Sequence, residues 1–207
     1  MKKISSFLCF RINTYMRNYT AHDIKDMFDS YKQHVSHVIV AHTYHRPYVA
    51  NTNVGRFKHV RADSYLKQKL VETSKDTRYA LNCFNKLLYP NATNKVVRMP
   101  DLYKPLAFVT IEGAIETIDR AQTIHVNIAL GNLPKALTTE DIETLFRHVW
   151  HDKAKQKDDV KVMAYDERDW VGYTLKEAQQ QPRRTWDTDS IWDVGNCWLP
   201  HSALKAD

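Results

Sequence analysis

Residues 106–130 read LAFVTIEGAIETIDRAQTIHVNIAL. Two runs within this stretch have the two-residue period of β-strands, whose successive side chains point to opposite faces. In Phe108-Val109-Thr110-Ile111-Glu112, Val109 and Ile111 fall on one side and Thr110 and Glu112 on the other. In Ile124-His125-Val126-Asn127-Ile128-Ala129-Leu130, positions 126, 128 and 130 are apolar, so His125 and Asn127 share the opposite face. Strands are therefore expected at Leu106 to Glu112 and Ile124 to Leu130, joined by a loop containing Gly113. That connection is too short for a parallel crossover, so the two strands should be antiparallel. If they pair as neighbours, Glu112, His125 and Asn127 gather on one polar face.

Upstream, Thr20 followed by Ile24, Met27, Phe28 and Tyr31 reads as a capped amphipathic helix reaching about His34. His34 to His45, centred on Val38-Ile39-Val40, reads as a strand, and Arg46 to Val60 as a loop rich in Pro, Asn and Gly. A long helix is expected from Ser64 to Tyr89, stopped by Pro90 and Asn91. Downstream, Thr138 or Thr139 caps a helix carrying Ile142, Leu145, Phe146 and Val149. A strand at Val160 to Ala164 follows, then a helix from about Asp169 to Gln180. A tail opens at Pro182, and its Trp186, Trp192 and Trp198 read as core lids. The order predicts an α+β fold, a central antiparallel sheet with helices packed on it. It forms one domain over 1–207, with a helical N-terminal extension (about 1–34) and a C-terminal tail (about 182–207).

The charge is uneven. Residues 1–104 carry 18 Lys and Arg against 7 Asp and Glu, whereas residues 105–207 carry 12 against 17. A basic half suits a polyanion, because each neutralised phosphate releases condensed counterions. Arg46, Arg56, Lys58 and Arg61, interleaved with Tyr44, Tyr48 and Phe57, are the mixture that tracks single-stranded phosphates and stacks bases; an ordinary basic loop is the other reading. Cys9, Cys83 and Cys197 have no metal spacing and no even disulfide set, so reduced thiols are expected. Arg11 interrupts the apolar start, and no run approaches the ~20 apolar residues of a membrane span. A cytoplasmic protein without a membrane partner is expected.

Imidazole, amide oxygen and carboxylate, with no thiolate, suit Mg²⁺ or Mn²⁺ better than a structural zinc, although a polar strand face can also be merely solvated. A second chemical element is Trp170-Val171-Gly172-Tyr173-Thr174-Leu175-Lys176. On a helix, Tyr173 and Lys176 are three apart and project from one side, where a phenol nucleophile gains a nearby ammonium. His34, His37, His42 and His45 mix strand parities, cannot all converge, and read as surface or DNA-contacting histidines. His148 and His151 read as a solvated helix end.

Six segments, ALNCFNKLLYPNATNK, FVTIEG, TIHVNIAL, FRHVWHDK, DWVGYTLKEA and DSIWDVGNCWLP, run in that order from Ala80 to Pro200. Together they resemble the rolling-circle replication initiators of the HUH endonuclease superfamily, Rep-like proteins of bacterial plasmids, filamentous phages and prophages. The resemblance implies a metal-dependent nickase of single-stranded DNA, acting at an origin or element end, with Mg²⁺ or Mn²⁺ as cofactor and a host helicase as a possible partner. It casts His125 and Glu112 as metal ligands, Tyr173 as the single nucleophile and Lys176 as its companion. The pattern's second histidine is Asn127 here, a place where an amide also occurs in the superfamily. A single-tyrosine transposase or relaxase would share the chemistry. A non-catalytic single-strand-binding protein would share only the fold.

Overall fold

The computed structural model describes residues 20–47, 62–113, 123–166, 169–176 and 192–200. Its elements are α1 (Ala21–Asp29), β1 (Val35–His42), α2 (Ala62–Leu88), α3 (Thr93–Arg98), α4 (Pro100–Tyr103), β2 (Leu106–Glu112), β3 (His125–Gly131), α5 (Thr139–Arg147), β4 (Val160–Ala164) and α6 (Trp170–Thr174). The four strands form one sheet in the order β2-β3-β1-β4, and every neighbouring pair is antiparallel. The architecture is α+β.

Local chemistry explains the element boundaries. Thr20 and Asp23 form a capping box at the start of α1, and Thr138 and Asp141 form another at the start of α5; each satisfies backbone N–H groups that a helix start leaves unpaired. The helix begun at Thr139 continues through π-helical turns at His148–Lys153, which bring the Trp150 indole N–H within 2.8 Å of the His42 carbonyl oxygen. Two short helices, α3 and α4, occupy the connection between α2 and β2.

The sheet separates two apolar layers. On one face, Ile39 and Ala41 of β1, Val109 of β2 and Val126, Ile128 and Leu130 of β3 pack against Phe84 of α2, Phe146 of α5 and the adjoining Trp150. On the other face, Val38, Phe108 and Ala129 meet Ile24 and Phe28 of α1 and Val171 of α6, with Leu175 just beyond it. Residues 21–29, expected in an N-terminal extension, are thus part of the core: Phe28 stands edge-on to Phe108 at 5.3 Å.

The expected C-terminal tail is likewise partly integrated. Residues 192–200 run beside β2, where Trp192 bridges to Thr110 and Trp198 to Ala107. Trp192 stacks on Phe108 at 5.6 Å, so it is the lid the sequence suggested; Trp186 lies outside the described residues. Cys83 and Cys197 are free, and burial pushes the Cys197 thiol up to about 12. Among the described residues, no helix is long and apolar enough to cross a membrane.

Candidate functional site

Pairing of β2 with β3 puts Glu112 directly opposite His125 and Thr110 opposite Asn127. The Glu112 carboxylate accepts from His125 Nε2 at 2.9 Å. Gly113, which ends β2, has φ +80, and a Cβ there would fall 2.5 Å from the Thr123 carbonyl oxygen. A glycine is needed for the chain to turn this close to β3.

The face is polar but not solvated. Thr110, Glu112 and Asn127 are each no more than 1% exposed, and His125 is the member that reaches the surface. Three buried atoms here, Thr110 Oγ1, Glu112 Oε1 and Asn127 Nδ2, have no hydrogen-bond partner among the described residues. Leaving a buried polar atom unpaired costs about 1–3 kcal/mol, so three on one patch call for an explanation.

Next along the sheet is a residue that strand parity alone did not select. His42 of β1 pairs with His125 across the ladder, and the rings stack at 4.9 Å. His42 Nε2 lies 3.9 Å from Asp159 Oδ2. Burial holds the His42 imidazole below its ordinary value, and the neighbouring His125 adds to this against the pull of Asp159. The other strand histidines go elsewhere: His37 contacts Thr139 Oγ1, and His45 contacts Asp76 Oδ2 at 3.0 Å. His148 pairs with Asp152, and His151 meets the Gln156 carbonyl oxygen, so neither joins the other.

Tyr173 and Lys176 sit on the same side of the sheet as this cluster. Val171 and Leu175 anchor the segment in the layer that holds Phe108 and Ala129, one strand alternation away from Thr110 and Asn127. The Asp169 carboxylate caps α6 by accepting from Gly172 N at 3.1 Å, and it also meets Lys25 Nζ of α1 at 3.2 Å. A Cβ at Gly172 would lie 2.2 Å from Asp169 Oδ2, so glycine permits this cap. Tyr173 is 62% exposed, and Lys176 Nζ lies 3.6 Å from its ring centroid. The two side chains do share one side, as the three-residue spacing required. The described helix ends at Thr174, and residues 177–180 of the expected longer helix lie outside the described residues.

Of the expected basic track, Arg46 is exposed, whereas Arg56, Lys58 and Arg61 lie outside the described residues. Among the described residues, no three His, Cys, Asp or Glu side chains group as metal ligands. The expected donor set has one imidazole, one carboxylate and one amide. Its fit to a hard cation rests on Glu112 Oε1, which has no partner among the described residues, beside His125. The Asn127 atom without a partner among them is the Nδ2 donor, so that amide would ligate only by turning its oxygen inward. No protein family, curated protein or solved structure matches this chain.

Proposed function

We propose that the chain is a metal-dependent endonuclease of single-stranded DNA, a single-tyrosine nickase of the HUH type that starts rolling-circle replication of a phage, plasmid or prophage element. One observation carries this reading. A buried carboxylate–imidazole–amide patch with unsatisfied atoms shares its sheet face with an exposed tyrosine that has an ammonium against its ring.

Glu112, His125 and Asn127 would hold the cation, and a bound Mg²⁺ or Mn²⁺ supplies Lewis-acid polarisation of the scissile phosphodiester. Tyr173 Oη attacks phosphorus, and the phenol proton passes to solvent. The P–O3′ bond breaks, the 3′ oxygen takes up a proton, and the 5′-phosphate remains esterified to Tyr173. Lys176 Nζ places positive charge where the phenolate forms and where the phosphoryl oxygens gather charge. Reversal of the same step rejoins a strand, the chemistry that transposition or conjugative transfer would also use.

Incubation of labelled single-stranded DNA with the protein and Mn²⁺, resolved on a denaturing gel, tests this. A covalent adduct should form, and Tyr173→Phe should abolish both nick and adduct while leaving DNA affinity unchanged. Lys176→Ala should slow the reaction by about 10²–10³-fold. DNA binding without an adduct under any divalent metal would favour the non-catalytic reading. The feature that supports that rival is direct closure of Glu112 onto His125, which completes a buried pair without a metal.

A further inference from the structure

Beyond the edge of β2, on the opposite side of the sheet from the polar patch, lies a cavity of about 210 Å³. Its walls come from α2 (Arg78, Asn82 and Asn85), from Lys104, and from the C-terminal segment at Trp198; Leu81, Pro105 and Ala107 supply apolar surface. Ala107 faces α2, whereas Glu112 lies five residues on with the opposite parity, about 17 Å along the strand. The two places are separate.

Among the described residues, no carboxylate lines this cavity. Lys104 is half-buried, and burial pulls its ammonium below the usual lysine value. Nζ stands 4.2 Å from the centre of the Trp198 ring, and Lys104 forms no ion pair among the described residues. Arg78 spends Nε on Asn196 Oδ1 at 3.0 Å. The Asp193 carboxyl, which accepts from Ser74 and Asn196, also feels the Arg78 charge, so the guanidinium is partly compensated. Trp198 Nε1 and Asn85 Oδ1 are buried without hydrogen-bond partners among the described residues. A half-buried ammonium with no ion pair among the described residues, with an exposed guanidinium on the same wall and an idle indole donor beside it, is what an anion site needs before its ligand arrives. An asparagine amide can turn either its oxygen or its nitrogen inward.

We propose that this cavity binds a phosphate monoester carrying a small apolar or planar body. Two cations face it, and a phosphate monoester carries about −1.5 to −2 charge at pH 7, a closer match than a single carboxylate. The volume lies below the ~300–1,000 Å³ of sites for drug-sized ligands, so the bound portion is small. Such a group is found on a free metabolite or at the 5′-phosphorylated end of a DNA strand. This inference stands apart from the nuclease reading and does not depend on it.

The test is an ¹H–¹⁵N spectrum of the indole N–H groups of the full chain, with the Trp198 peak assigned by its loss in Trp198→Phe. Phenyl phosphate should move that peak saturably and phenol should not. The Trp150 indole, bonded to the His42 carbonyl, should stay in place as a folding control. Lys104→Met, which keeps the apolar stem, and Lys104→Gln should each weaken phenyl phosphate at least about tenfold, or 1.4 kcal/mol. A 5′-phosphorylated oligonucleotide that shifts the peak at lower concentration than phenyl phosphate, with its 5′-hydroxyl counterpart inert, assigns the group to a strand end. A response to phenyl phosphate without that preference assigns it to a free small molecule. Absence of saturation, or equal binding by both Lys104 variants with Trp150 unmoved, overturns the proposal.

Discussion

The two faces of the sheet are built on the same strands and the same ladder, yet they differ in what they bury. The face toward α2 and α5 is apolar along its length, from Leu130 through Ile128 to Val126 on β3, and is closed by Phe84, Phe146 and Trp150. The opposite face begins in the same way, with Phe108 and Ala129 under Phe28, then changes to Thr110, Asn127, Glu112 and His125. Burial is equally complete at Ile128 and at Thr110, both 0% exposed. One face converts burial into stability through packing, whereas the other leaves three polar atoms without a hydrogen-bond partner among the described residues. Stability alone would not select the second arrangement.

The difference can be measured, with the largest effect on the packing face. Phe146 is fully buried, edge-on to Phe84 at 5.4 Å and stacked on Trp150 at 6.1 Å. Phe146→Ala should lower unfolding stability by about 3–5 kcal/mol in urea titration. On the polar face, Thr110→Val keeps the branched shape and removes an unpartnered hydroxyl, so it should raise stability by about 1 kcal/mol. A loss as large as that of the Phe146 variant would make the second face ordinary packing and erase the contrast.

A smaller effect tests the rim of the packing face. Glu143 of α5 accepts from the Val162 amide at 3.1 Å and from Arg147 at 2.7 Å, tying the helix to β4. The Val162 N–H and then Arg147 hold its carboxyl below the ordinary value of 4.5. The unfolded chain therefore takes up this proton first as pH falls. The stabilisation is complete above about pH 4.5 and is lost as pH drops through the lower folded value. Glu143→Gln should shrink the drop in urea midpoint between pH 7 and acid conditions; an unchanged drop would place the acid sensitivity elsewhere.

Strict alternation made the core of the fold legible. The antiparallel β2 and β3 strands and their shared polar face followed from one run of residues, whereas the register that sets Glu112 opposite His125 is visible only in the structure; the capping threonines marked both amphipathic helices. His42 was not legible as a neighbour of His125, because Val38 and Val40 on its face and Ile39 and Ala41 on the other are all apolar. Parity could not say which side of β1 met the polar patch; only the β1–β3 register does. The burial of that patch was hidden for a related reason. Polar residues on a strand suggest solvent, and what packs on that face comes from distant segments such as Trp192, whose stacking on Phe108 no local pattern encodes.

Calorimetric titration with Mn²⁺ tests most directly whether the unsatisfied face is a metal site. The wild-type chain should bind one ion, Glu112→Gln should weaken binding by about tenfold or more, and Asn127→His should strengthen it, since imidazole is the better donor. Binding that is absent, or that is unchanged in both variants, would contradict the assignment and leave Glu112 and His125 as a buried structural pair.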